Sequence, residues 1–253
     1  MPKVIAVIPA RYNSTRFPGK PLSLLKGKPL IQHVYEGVRD ARLIDVVYVA
    51  TDDHGIYETV TSLGYNAVMT SNTHISGTDR VAEVARDVDC DIVVNVQGDE
   101  PFIRGDMVDD VVDILLNDEM ASIGTLAKGI TNMEEFLSPD VVKVVFDKDG
   151  FALYFSRSPI PYRRGDMGFK VQDARFKAVH GYKHIGIYGY RRDALLRLSS
   201  LEPPDIEVIE GLEQLRALFN GLRIKVRETV HDTIGIDTPE DLRRAEEWLS
   251  LSL

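Results

Sequence analysis

The stretch "VIAVIPARYNSTRFPGKPL", residues 4–22, runs from an apolar segment straight into a polar loop that holds Arg11, Arg16 and Lys20. The segment "VIAVIP" (4–9) is short and rich in β-branched residues, so it reads as a strand buried on both faces. A loop that leaves a parallel strand and enters a helix presents backbone N–H groups. Glycine and fixed cations turn such a loop into an anion cradle. Arg11 and Arg16 offer forked contacts to phosphate oxygens, and Lys20 offers a compact point charge. Gly19 permits close approach of the backbone. The plainer alternative is a solvated loop with its cations turned outward. Position after the first strand and the density of cations favour phosphate binding. The loop has no G-x-x-x-x-G-K-[ST] pattern, and "GIYGYR" (186–191) is only G-x-x-G, short of a dinucleotide fingerprint.

Outward from this stretch, strand-like and helix-like segments alternate. "VVYVAT" (46–51), "NAVMTS" (66–71), "DIVVNVQ" (91–97) and "ASIGTLA" (121–127) read as strands. Helical periodicity covers 28–41, 54–63, 78–88 and 106–117. Apolar strands separated by helices predict a largely parallel sheet with helices on both faces. Right-handed crossovers place the loops after the strands on one edge. Beyond residue 140 the pattern changes. "VVKVVFDKDGFALYFSR" predicts a hairpin turning at Asp147–Gly150. "PIPYRRGDMGFKVQDARFK" (159–177) shows no period and reads as a loop or lid. "YKHIGIYGY" (182–190) and "LRIKVRE" read as strands. "IEVIEGLEQLRALFNG" (206–221) reads as one helix closed by Gly221. "DTPEDLRRAEEWL" (237–249) reads as a helix with Asp237 or Thr238 near its N-cap and Pro239 in its first turn.

The chain of 253 residues carries a net charge of −9, which argues against a general nucleic-acid binder and leaves the basic loop for a small anion. No apolar run approaches the ~20 residues of a membrane span. The N-terminus lacks the pattern of a secretion signal. Cys90 is the single cysteine, so no intramolecular disulfide forms, which suits a reducing cytoplasm.

An acidic protein with a phosphate cradle calls for a metal partner. "VNVQGDEP" (94–101) ends a predicted strand with Asp99 directed to the same crevice as the cation loop, making it the first candidate Mg²⁺ ligand. Asp237, in "IGIDTPED", follows another short apolar strand and is the second candidate. A role as helix N-cap explains Asp237 equally well at this stage.

"PARYNSTRFPGKPL", "SGTDR" (76–80), "VNVQGDEP", "ALYFSR", "YKHIGIYGY", "LEQLRAL" and "DTPED" stand in the order found in 3-deoxy-D-manno-octulosonate (KDO) cytidylyltransferases. The chain resembles that family from end to end. The resemblance implies an α/β nucleotide-diphospho-sugar transferase-like, Rossmann-like fold: a mostly parallel sheet with helices on both faces and a small β-rich substrate and dimerisation lobe. It implies one domain over 1–253, with a nucleotide-binding part near 1–130. A sugar-acid and dimerisation part follows near 131–230, then a metal-ligand loop and C-terminal helix over 231–253. The implied activity is Mg²⁺-dependent transfer of CMP from CTP to KDO, in the cytoplasm, by a homodimer, for lipopolysaccharide biosynthesis. Nucleic acid and membrane are not among the implied partners.

Carried over residue by residue, Arg11, Ser14, Arg16 and Lys20 hold the triphosphate, and Ser76, Gly77, Thr78 and Gln97 position the cytidine. Asp99 and Asp237 bind the metal. Arg157, His184, Tyr188, Glu213 and Gln214 line the sugar-acid site, with Arg164 closing over it. Lys20, Arg16, Asp99 and Asp237 form the catalytic set. His184 and Tyr188, four apart on a strand, share a face. The segment 162–181 departs most from the family pattern, which leaves 8-amino-KDO open as the sugar. Three rivals stand beside this reading. One is a cytidylyltransferase for a nonulosonic acid. Another is a non-catalytic nucleotide-binding regulator, which the presence of both the cation loop and the carboxylates disfavours. The third is a glycosyltransferase, which normally carries D-x-D where this chain has "GDE".

Overall fold

The computed structural model describes residues 2–250 with the exceptions of 14–15 and 163–180, together with the backbone of Leu251. The expected contributions of Ser14 and Arg164 therefore lie outside the described residues.

Strand β1 (Val4–Ala10) leads through the cation loop and a 3-10 turn (Lys20–Leu22) into a small ribbon, β2 (Leu24–Leu25) and β3 (Lys28–Pro29). Then come α1 (Leu30–Arg39), β4 (Val46–Thr51), α2 (His54–Ser62), β5 (Ala67–Met69), α3 (Gly77–Asp87), β6 (Ile92–Asn95), α4 (Gly105–Asn117) and β7 (Ile123–Ile130). The second half holds α5 (Met133–Leu137), the hairpin β8 (Lys143–Phe146) and β9 (Ala152–Ser156), and β10 (Gly181–Arg191). It closes with α6 (Arg192–Leu198), α7 (Asp205–Glu210), α8 (Gln214–Phe219), β11 (Ile224–Glu228) and α9 (Pro239–Leu251).

The main sheet runs β11-β7-β10-β6-β1-β4-β5, and β8 with β9 extends from β10. Among these described strands of the main path, β10 alone runs antiparallel to its neighbours. The expected mostly parallel sheet is therefore present. Strand β1 shows why both of its faces are apolar. Val4, Ala6, Ile8 and Ala10 enter one core with α1, α2 and α4, while Ile5 and Val7 enter a second core with α3, α6 and α8. Full burial of one such aliphatic side chain contributes about 1.5–3 kcal/mol. Polar chemistry is accordingly displaced from the strand to the loop beyond Ala10.

From β1 the chain crosses through α1 to β4. From β5 it returns through α3 to β6, on the other side of β1. Loops after β1 and β6 thus diverge, which opens a crevice at the carboxyl ends of the strands. Gly98 lets the two exits lie together, because a Cβ there would stand 2.8 Å from the Pro9 carbonyl oxygen. A third core, Leu25, Leu30, Ile236 and Ala245 with Phe17 and Leu242, fastens α9 to the ribbon beside the cation loop.

One expectation needs correction, and one open alternative is resolved. The stretch 206–221 is two helices, because Gly211 adopts a left-handed conformation (φ +63°) that ends α7 at Glu210. A buried ion pair, Arg216 Nε to Glu207 Oε2 at 2.8 Å, then ties α8 to α7. Of the two candidate caps of α9, Asp237 and Thr238, it is Thr238 that caps the helix. Thr238 Oγ1 accepts from the Asp241 N–H at 3.2 Å, and Asp241 Oδ2 accepts from the Thr238 N–H at 2.9 Å. This is a reciprocal capping box, and it releases the Asp237 carboxylate for other work.

Candidate active site

A cavity of about 430 Å³ fills the crevice between the ends of β1 and β6, with Arg11, Arg16, Lys20, Gln97, Asp99 and Asp237 in its wall. Lys20 is the pivot. Its Nζ donates to Asp99 Oδ2 at 2.7 Å and to Asp237 Oδ1 at 3.2 Å, and its side chain is only 12% exposed. Arg16 Nη2 reaches the other Asp237 oxygen at 3.0 Å. Burial of Ile236 and a hydrogen bond from its N–H to the Asp99 carbonyl at 2.9 Å deliver Asp237 to this point. Two carboxylates from distant parts of the chain therefore converge on one cation. That donor set fits Mg²⁺, which takes one or two protein carboxylates and completes its shell with water and substrate phosphates. Among the described residues, no group of three or more His, Cys, Asp or Glu forms a fuller cage.

Glu100, beside Asp99, behaves differently. Burial first, and then the Asp99 charge, push its carboxyl up to about 7. Its Oε2 is buried with no hydrogen-bond partner among the described residues. Adjacent acids in "GDE" are thus split: Asp99 faces the crevice and Glu100 the interior.

The opposite wall begins at α3. Ser76 caps this helix, accepting from Asp79 N–H at 3.1 Å in a capping box. The Ser76 and Thr78 hydroxyls also donate to the two oxygens of Glu213, at 3.4 and 2.9 Å. Gly77 and Gln97 border the main cavity as expected. Two further wall residues escaped the sequence reading. Arg80, 4% exposed, pairs with Asp52 at 3.3 Å and donates to Thr70 Oγ1. His74 pairs with Glu83. The "SGTDR" motif contains Arg80, yet nothing local separates a buried arginine from one on a solvated helix face.

A smaller cavity, about 110 Å³, adjoins the first across Gln97 and holds Thr78, Tyr188, Glu213 and Gln214 in its wall. Burial, the largest influence, pushes the Glu213 carboxyl up. His184 and Tyr188 do share a face, with ring centroids 5.2 Å apart. A bulge at Gly186–Ile187 lies between them, where the register of β10 on β7 shifts. Thr125 sits under this bulge. Its hydroxyl donates to the Ile187 carbonyl at 2.8 Å, so it accepts from His184 Nε2–H at 2.9 Å. Burial against Phe155 and Tyr188 holds the imidazole down at about 3.

Arg157 is set apart: neither cavity wall includes it. Its Nε donates to the Glu210 carbonyl at 2.9 Å and its Nη1 to the Pro139 carbonyl at 3.1 Å. Fully buried Lys143 fixes the same stretch, donating to the carbonyls of Ser138 (2.8 Å), Val141 (2.5 Å) and Arg157 (2.5 Å). The structure thus unites Tyr188, Glu213 and Gln214 with Gln97. It seats His184 behind Tyr188 and leaves Arg157 at the α7–α8 junction.

Comparison with known proteins agrees with this geometry. A family model described as cytidylyltransferase matches residues 5–224. A 3-deoxy-manno-octulosonate cytidylyltransferase of Thermodesulfovibrio yellowstonii is 53% identical, over 97% of this chain and 98% of its own. One of Geobacter metallireducens is 52% identical over 98% of each. A solved structure of CMP:2-keto-3-deoxy-manno-octonic acid synthetase complexed with CTP superposes with a TM-score of 0.91 at 43% identity, covering 99% of this chain and 100% of that one. A cytidylyltransferase of Leptospira borgpetersenii, 18% identical with a TM-score of 0.65 over 100% of this chain and 89% of its own, shares the fold. With a cation-loop lysine and two converging carboxylates at the switch point of such a sheet, and with this similarity over its whole length, the chain belongs to the 3-deoxy-manno-octulosonate cytidylyltransferase family.

Proposed function

We propose that the protein transfers CMP from CTP to the anomeric hydroxyl of KDO, releasing pyrophosphate, with Mg²⁺ as cofactor. The observation that carries this reading is the convergence of Lys20, Asp99 and Asp237 in the crevice. Arg11, Arg16 and Lys20 bind the triphosphate there, and Lys20 and Arg16 offset charge that grows on the departing pyrophosphate. Asp99 and Asp237 would hold the metal, which supplies charge neutralisation at the phosphates and lowers the pKa of the attacking hydroxyl. Gln97 and the α3 N-terminus border the nucleotide, while Tyr188, Glu213 and Gln214 border the sugar acid across Gln97. Adjacency of the two cavities brings hydroxyl and α-phosphorus together, so positioning supplies much of the rate.

In this reading the product feeds lipopolysaccharide assembly. The enzyme works in the cytoplasm, as a homodimer. Among the described residues, no helix is long and apolar enough to cross a membrane. The testing experiment is a pyrophosphate-release assay that crosses CTP, UTP, ATP and GTP with KDO, 8-amino-KDO and a nonulosonic acid. The expected result is turnover with CTP and KDO well above every other pair. Preference for another nucleotide or another sugar acid overturns the assignment.

A further inference from the structure

The geometry points to Lys20 as the resident cation of the metal position, so that metal and nucleotide enter by exchange. This inference rests on the function proposed above. It goes beyond that function by stating what the site does before its ligands arrive.

Asp99 and Asp237 lie in a crevice that must also receive a triphosphate, and without a cation between them they repel each other and the substrate. The Lys20 ammonium is placed to be that cation, 2.7 Å from Asp99 and 3.2 Å from Asp237. Lys20 is largely buried, whereas Arg16 and Asp237 are 66% and 48% exposed, so the ammonium is the inner partner and the guanidinium the outer one. An entering divalent ion competes for the same two carboxylates that Lys20 holds. Metal alone therefore has to displace an ammonium whose bonded carboxylates, among the described residues, are Asp99 and Asp237. When a nucleotide arrives with the metal, the triphosphate gives that ammonium a new partner. The four-carbon lysine stem swings this short distance without moving the backbone. Metal and nucleotide then favour each other's binding, and the coupling is reciprocal.

The test measures Mn²⁺ binding to the full-length, ligand-free protein by electron paramagnetic resonance and calorimetry, with no turnover required. Wild type is compared with Lys20→Met, Lys20→Gln and Lys20→Arg, each checked for folding by circular dichroism. Each is measured alone and with a non-hydrolysable CTP analogue. In wild type, the analogue should tighten Mn²⁺ binding at least tenfold. Lys20→Met and Lys20→Gln should bind Mn²⁺ alone at least tenfold more tightly than wild type, and the analogue should tighten it less. Lys20→Arg should keep the weak wild-type affinity. Adding Asp99→Asn to Lys20→Gln should abolish the gain, locating it at these carboxylates. Unchanged or weaker Mn²⁺ binding in both neutral variants, while wild type still turns over CTP, overturns the exchange and leaves the proposed function standing. A wild type that neither binds CTP nor releases pyrophosphate overturns both.

Discussion

Asp237 is the residue whose two possible roles the structure separates. Its carboxylate pairs with Lys20 and Arg16, and Thr238 performs the capping of α9. Distinct outcomes follow for neighbouring substitutions. Thr238→Ala should cost about 1 kcal/mol of stability, the usual loss of a Ser/Thr cap, with turnover changed only a few-fold. Asp237→Asn should leave stability nearly unchanged, because half-exposed ion pairs contribute little. It should lower turnover about a hundredfold or more and raise the Mg²⁺ requirement, on the scale seen when transition-state charge stabilisation is removed. Urea unfolding together with pyrophosphate release at several Mg²⁺ concentrations distinguishes them. An Asp237→Asn enzyme with normal turnover and metal dependence would leave Asp99 as the sole supported carboxylate ligand. At this scale, Lys20 and Asp99 were legible because each lies in the loop that follows a recognisable strand. Arg80, His74 and Lys143 were not, because a charge read without its neighbours looks solvated. Only packing shows Lys143 with three backbone carbonyls around its ammonium.

Strand β10 shows what an element conceals when it is read alone. The sequence reads as a strand at 182–190, and the structure has one over Gly181–Arg191. The bulge at Gly186–Ile187 belongs to its pairing with β7, so it has no signature within the strand itself. Beside that bulge half-buried His184 is held as a neutral base, its desolvation lowering the pKa from 6.5 to about 3. Below pH 6.5 the unfolded chain therefore takes up a proton that the folded chain refuses. Stability from this group is fully present above about pH 6.5 and is lost as pH falls towards 3. The slope is at most ~1.4 kcal/mol per pH unit. His184→Gln keeps an N–H for Thr125 and removes the titration. Its unfolding free energy, measured in urea from pH 7 to pH 4, should fall less steeply than that of wild type. Parallel curves would mean that His184 titrates as a free imidazole. The α7–α8 break carries the same lesson, because the residues flanking Gly211 continue a helical pattern while its φ of +63° ends the helix.

At the scale of the whole molecule, apolar side chains remain uncovered on the second half of the chain. Val208 and Ile209 on α7, Phe219 at the end of α8, and Leu153 on β9 are 63–82% exposed. For the proposed homodimer, sedimentation at micromolar concentration should show a species of about twice the 28.4 kDa chain mass. Observation of the single-chain mass alone would refute it. The alternation of strands and helices, the apolar character of both sheet faces and the chemistry of the first loop were determined by the sequence by itself. Periods of 2.0 and 3.6 and the placement of charge after a strand are properties of consecutive residues. The motif order carried the family in the same way. Strand order was decided only in three dimensions, because the return of α3 to place β6 beside β1 depends on burying helices against both faces at once. So too was the meeting of Asp99 and Asp237 at Lys20. It requires α9 to pack on the β2–β3 ribbon, and the free energy for that packing comes from apolar side chains far apart in the chain.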